Sequence, residues 1–191
     1  MNSPLRGALM VADNSFESES AQTQTLLPSS VAVQTINRGD VGNDDIARGE
    51  IVNALNQGPM LVNYYGHGSL DVWTGAGLPD SNVALNLTNT NALSVYLMMT
   101  CLNGYSHDPY VDSLGESVLK SPNGGGVAVW ASSGFTEADP QFSMNLELYR
   151  QLFGSQPVRL GQAVRNAKGA SPDQDVRRTW ILFGDPAMRI R

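Results

Sequence analysis

Short apolar runs alternate with longer amphipathic stretches along this chain, the alternation expected of strands and helices. Ala8 to Ala12 follows Gly7 as a nearly continuous apolar segment, the pattern of a strand covered on both faces. It ends at Asp13-Asn14, with a turn at Asn14-Ser15. Residues 16 to 27 are helix-compatible, with a polar first turn, Leu26-Leu27 near the end and Pro28 as the stop. Val31, Val33 and Ile36 alternate as a second strand. After a loop at Gly39, Asp40 and Gly42, Asn43 or Asp44 predicts an N-cap. The helix it opens should turn Ile46, Ile51, Val52 and Leu55 inward and stop at Gly58. Met60 to Tyr65, Val95 to Thr100 and Gly126 to Ala131 predict strands three, four and five.

Later helices fall at 114 to 119, with Leu114, Val118 and Leu119 on one face, and at 141 to 153, with Phe142, Leu146, Tyr149 and Phe153 at helical spacing. Another spans about 160 to 167. The tail TWILFGDPAMRIR carries one more apolar run, broken by Gly184, Asp185 and Pro186. The cluster Gly124 to Gly126 precedes a strand and reads as a turn rather than a phosphate loop. This order predicts an α/β architecture: a mainly parallel sheet of about six strands with helices on both faces. Ligands of such a sheet bind beyond the carboxyl ends of its strands.

Composition narrows the functional classes. With 191 residues, 41% of them apolar, and no internal repeat or low-complexity linker, residues 1 to 191 read as one domain with a sizeable core. The net charge of −6 with no basic run argues against nucleic acid. No apolar stretch is long enough for membrane insertion, and the start MNSPLRG is not a signal peptide. The lysine-poor acidic composition suits a secreted or cell-surface protein. One cysteine excludes an internal disulfide, and one cysteine with two histidines leaves few residues for chemistry.

Two strand ends carry that chemistry. Strand three runs out into Tyr65-Gly66-His67-Gly68-Ser69, and strand four into Met99-Thr100-Cys101-Leu102-Asn103-Gly104. If the two strands are neighbours, His67 and Cys101 face each other past their carboxyl ends. A cysteine nucleophile needs a base or cation to supply thiolate, a proton donor for the leaving group, and N–H groups for the oxyanion. His67 and Cys101, with the amides of Gly68 and Cys101 as oxyanion hole, supply all three. Each residue alone also has a structural reading, Cys101 as buried packing and His67 as a turn residue. His107, in Ser106-His107-Asp108-Pro109, reads as a surface-loop residue. A metal site from His67, Cys101, His107 and Asp108 is disfavoured, because their spacing matches no compact zinc pattern.

The four blocks LVNYYGHGS (61 to 69), LMMTCLNGY (97 to 105), VAVWASSG (127 to 134) and WILFGDPAM (180 to 188) resemble, in this order, the gingipain-type cysteine peptidases of family C25. The resemblance runs from Ala8 to Arg189. It implies a three-layer α/β/α caspase-like fold (clan CD), with His67 and Cys101 as a catalytic dyad and Gly68 and Cys101 amides as oxyanion hole. It also implies an acidic residue at the end of the first strand, a place Asp13 holds, supporting the histidine through an N–H to carboxylate bond. Asp13 also suits an Asx-turn or helix cap. Members that cleave after basic residues carry an acid in the specificity pocket. Here SFESES offers Glu17 and Glu19, although this chain is shorter there and surface carboxylates fit equally. Trp130, Ser132 and Ser133 correspond to a pocket wall, with a core role for Trp130 as the alternative.

The resemblance further implies peptide or protein substrates, no required cofactor, structural calcium on acidic loops at most, and flanking domains in a larger parent protein, of which this chain reads as an excerpt. No EF-hand spacing is present. The expected activity is a cysteine endopeptidase with a preference for a basic residue before the scissile bond. The alternative is a catalytically silent caspase-like scaffold or peptide-binding module.

Overall fold

The computed structural model describes residues 6–190. Its main sheet has six strands: β1 (Ala8–Ala12), β2 (Val33–Asn37), β3 (Leu61–Tyr65), β7 (Ser94–Met99), β8 (Gly126–Ser132) and β9 (Trp180–Gly184). They lie in the order β2-β1-β3-β7-β8-β9, all parallel except β9, which runs antiparallel to β8. Between β3 and β7 the chain forms a second, three-stranded sheet, β4 (Gly68–Ser69), β5 (Val72–Trp73) and β6 (Leu78–Asp80), followed by α4 (Ser81–Leu85). The remaining helices are α1 (Glu17–Gln24), α2 (Arg38–Val41), α3 (Asp44–Asn56), α5 (Leu114–Lys120), α6 (Ala138–Phe153), α7 (Leu160–Ala170) and α8 (Gln174–Thr179).

Alternation along the parallel strands sorts the core into two clusters. Met10, Leu61, Tyr65, Leu97, Met99 and Trp130 meet the buried faces of α6 and α7. Leu9, Val11, Val62, Tyr64, Met98 and Val129 meet α3, α4 and α5 on the other side. Every residue of β1, β3 and β7 is buried. This is why these strands read as unbroken apolar runs: helices cover a parallel sheet on both faces.

Local signals fix several boundaries. Asn43 caps α3 by accepting from the Ile46 amide at 3.0 Å. At α5, Ser113 and Glu116 form a reciprocal capping box. The predicted inward face of α3 is corrected at Ile46, which is 55% exposed because it sits in the first turn, outside the stripe of Ala47, Ile51, Ala54 and Leu55. The predicted face of α6 is also rotated. Gln141, Met144, Asn145, Leu148, Tyr149 and Leu152 are buried, while Phe142, Leu146 and Phe153 lie at its margin. A polar network explains the rotation. Asn145 donates to Asn63 and to the Tyr65 hydroxyl, and Tyr149 donates to Asn63.

Candidate active site

The chain enters the sheet at β1, passes to β2 on one side and then returns to β3 on the other, so the strand order reverses between β1 and β3. A crevice opens at the carboxyl ends at such a point. β1 pairs with β3 up to Ala12↔Tyr65, and β3 pairs with β7 up to Tyr65↔Met99. Asp13, His67 and Cys101 therefore follow three adjacent strands, with His67 and Cys101 each two residues past the last pair. Parallel neighbours lie about 4.8 Å apart.

The backbone around this edge is under strain. Among the described residues, the non-glycine residues with positive φ are Ser15, Thr74 and Leu102, at 73°, 50° and 62°. Ser15 lies two residues after Asp13, Leu102 follows Cys101, and the Thr74 amide donates to the His67 carbonyl at 2.8 Å. Such conformations cost about 1–3 kcal/mol each and are held by their surroundings. At Leu102 the restraints are visible: its amide donates to Gly134 O at 3.2 Å and the Gly104 amide to Ser132 O at 2.8 Å. The turn that follows Cys101 is thus laced to the end of β8.

His67 is exposed and Cys101 half-buried. The His67 ring meets Phe16 edge-on at 5.3 Å, and among the described residues it makes no hydrogen bond. The Cys101 thiol points to Thr136 O at 3.7 Å. The backbone of His67 is more tightly held than its ring, because its carbonyl also accepts from the Tyr64 hydroxyl at 2.7 Å. Tyr64 stacks on Trp73 at 4.3 Å, and burial pushes its pKa well above the ordinary tyrosine value, so the hydroxyl stays a donor. Gly68 lies against Thr100, whose Oγ1 would clash with any Cβ at that position. Only glycine fits there.

Asp13 is 2% exposed, and its carboxylate is engaged by Arg38 rather than by His67. Oδ1 accepts from Arg38 Nη1 at 2.8 Å and from the Asn14 amide at 2.8 Å. The latter bond realises the local turn reading of Asp13. Arg38 also donates to both oxygens of Asp44, at 2.7 and 3.1 Å. Bonds to Asp44 and then Asp13 push the guanidinium pKa up, and Arg38 lowers that of Asp44. Sequence reasoning missed Arg38, whose partners lie 25 residues back and 6 ahead. The one available signal was a lone cation directly after a strand, in a segment otherwise rich in Asp.

Of the pocket candidates, Trp130 is fully buried against Trp180, with ring centroids 5.1 Å apart, and belongs to the core. This corrects its assignment to a substrate surface. The Ser132 hydroxyl donates to Gly134 O and the Ser133 hydroxyl to Thr179 O, both at the base of the loop that faces Cys101. Those hydroxyls hold the loop rather than stand free. At the tip of the same loop Phe135 is 81% exposed, a residue sequence reading did not single out. Glu17 and Glu19 occupy the first turn of α1, half-buried, next to Phe16, whose ring meets His67; Glu19 accepts from the Ser18 hydroxyl. His107 is exposed and stacks obliquely on Tyr105 at 5.1 Å, as its loop reading predicts. Among the described residues no group of three or more His, Cys, Asp or Glu side chains converges. No helix among them is long and apolar enough to cross a membrane.

A three-layer α/β/α domain with this strand order is the caspase-like fold. Solved structures agree. A crystal structure of the Arg specific cysteine proteinase gingipain R superposes with a TM-score of 0.84 at 23% identity, covering 98% of this chain and 48% of that one. The complex of the Porphyromonas gingivalis RgpB pro- and mature domains gives 0.85, also at 23% identity, covering 98% of this chain and 49% of that one. In sequence, gingipain R2 and gingipain R1 of Porphyromonas gingivalis are each 30% identical over 155 residues, 74% of this chain. Those alignments cover only 21% and 15% of the two relatives, so the chain matches a minor part of their length. The family model for peptidase family C25 matches residues 4–191, and the chain belongs to that family.

Proposed function

We propose that this domain is the catalytic domain of a cysteine endopeptidase working through Cys101 and His67. The observation that carries the reading is the register of β1, β3 and β7, which sets Asp13, His67 and Cys101 beyond three adjacent strand ends at the topological reversal. The Cys101 thiolate attacks the peptide carbonyl carbon, forming the S–C bond while the carbonyl π pair moves to oxygen. The amides of Gly68 and Cys101 receive that oxyanion. Collapse expels the amine, which takes its proton from His67, and leaves a thioester. Water, losing its proton to His67, then hydrolyses the thioester and frees Cys101. No cofactor is needed. Asp13 serves with Arg38 as a charge-balanced support beneath the crevice.

Substrates are peptides or proteins. The names of the gingipain R relatives support a preference for Arg before the scissile bond, with Glu17 or Glu19 at the mouth of the crevice as its counter-charge. The same relatives, much longer than this chain, support a secreted or cell-surface parent with flanking domains. The test is cleavage of a peptide mixture varied at the residue before the scissile bond, under reductant, by wild type and Cys101→Ala. The expected result is cleavage after Arg by wild type alone. Equal cleavage by the variant would refute the dyad. A second reading, a silent scaffold, draws on the absence of any hydrogen bond to the His67 ring. Failure of a peptide electrophile to label Cys101 stoichiometrically would favour it.

A further inference from the structure

We infer that Asn103 is a positioning residue that sets the separation of the two oxyanion amides, an assignment that rests on the proposed peptidase reading. Those amides belong to different pieces of chain. Gly68 opens the β4–β5 hairpin, while Cys101 begins the turn after β7. The hairpin is small, with two residue pairs, Gly68↔Trp73 and Ser69↔Val72. β5 pairs in turn with β6, but strands of two or three residues do not hold their place without tertiary support.

The side chain of Asn103 bridges the gap. It is completely buried, and its Nδ2 donates to Ser69 O and to Val72 O, the carbonyls of the second residue pair. Both hydrogens of one amide group are thus spent on the two strands of the hairpin. The orientation of the amide follows from this, because its oxygen has no partner and only the nitrogen can serve two carbonyls. The backbone of Asn103 is fixed in turn: its N–H donates to Cys101 O at 2.8 Å, and its C=O accepts from the Gly115 amide at 2.9 Å. A rigid link therefore runs from the nucleophile turn through one side chain to the strand that carries Gly68. Thr100 against Gly68, and the Leu114 amide on Leu70 O at 2.9 Å, steady the hairpin at its sides. Neither reaches both strands.

An oxyanion hole works only when both donors sit about 2.7–3.1 Å from the developing charge, and a misplacement near 1 Å costs on the order of a hundredfold. Asn103→Asp keeps the shape but replaces the donor nitrogen, with both its hydrogens, by one carboxylate oxygen facing two carbonyls. Asn103→Ser keeps one short donor. We expect kcat to fall roughly 10- to 100-fold in Asn103→Asp with KM within about threefold, and Asn103→Ser to fall between it and wild type.

The decisive comparison uses two probes of Cys101. A peptide aldehyde ending in argininal forms an oxyanion when the thiolate adds to it, and should lose affinity by the same factor as kcat. Iodoacetamide, whose displacement of iodide forms no oxyanion, should alkylate the variants within about twofold of wild type. Equal losses on both probes, or unchanged kcat and aldehyde affinity, would overturn the assignment. Should wild type itself neither cleave nor bind the aldehyde, the peptidase reading fails separately. The tether is then read from the Gly68 amide by NMR, where an unchanged shift and exchange rate in both variants would refute it.

Discussion

Asp13 and Arg38 form an ion pair whose two halves differ in burial, and the difference makes an asymmetric prediction. Asp13 is enclosed, its side chain 3% exposed, whereas Arg38 is 21% exposed and keeps two bonds to Asp44. Breaking a buried pair by removing one partner costs about 3–5 kcal/mol when the survivor is left charged and dry. Arg38→Met leaves the Asp13 carboxylate in that state and should cost about 3 kcal/mol, the low end, since the Asn14 amide still donates to it. Asp13→Asn leaves Arg38 with Asp44 and some water, and removes one charge-assisted bond, which is worth about 1.5–3 kcal/mol. Its oxygen still accepts from Asn14, so we expect about 1.5 kcal/mol. At roughly 2–4 °C per kcal/mol for a chain of this size, the expected losses in Tm are about 9 °C and 4 °C. Urea unfolding at pH 7, with slopes checked to be equal, measures both. A smaller loss in Arg38→Met than in Asp13→Asn would refute this charge assignment.

Three other predictions follow from the geometry. Tyr64, Tyr65, Tyr96 and Tyr149 are buried with pKa values raised above the ordinary one by desolvation, so their stabilisation is complete below about pH 10 and is lost as pH rises toward the folded values. Ionisation of the unfolded chain removes about 1 kcal/mol for each between pH 10 and 11, together roughly 4 kcal/mol; tyrosinate absorbance should rise with loss of far-UV CD, and a smooth titration near pH 10 of a folded protein would contradict this. Gly68→Ala places a methyl group on Thr100 Oγ1, so cleavage should fall at least about 100-fold, as when an oxyanion donor is lost, while the double variant with Thr100→Gly should recover part of it. Tyr149→Phe leaves Asn63 Oδ1 with only the Asn145 donor and should cost about 1–2 kcal/mol in urea unfolding with cleavage unchanged.

The parallel strands were legible because two-sided burial writes itself as an apolar run. β1 falls where the pattern predicts it, and β3, β7 and β8 fall within a residue of prediction. The placement of His67 and Cys101 past strand ends follows from the same runs. The segment from Gly68 to Leu85 was not legible. Its three strands have two or three residues each, too few for a period, and residues far along the chain hold them in place: Thr100, Asn103 and Leu114. Arg38 was hidden for a similar reason, its partner Asp13 being 25 positions away. On α6, hydrophobic spacing pointed at Phe142 and Phe153 because the buried face carries the polar Gln141 and Asn145, the latter held inside by Asn63 and Tyr65 across the layer.

The reversed direction of β9 has a consequence for how the chain could be rewired. Because β9 runs opposite to β1, the polypeptide returns to the end of the sheet from which it started, away from the crevice. Gly7 O accepts from the Met60 amide, and Met60 lines a cavity together with Arg189 and Ile190. Both ends of the described chain thus lie near the foot of β3, one bonded to Met60 and the other across the cavity that Met60 lines. A short linker can join them, and new termini can be opened in the exposed loop around Asn123, far from that junction in sequence, giving a circular permutant with every strand of the sheet intact. The crevice would be built by the same strand ends in a different order of synthesis.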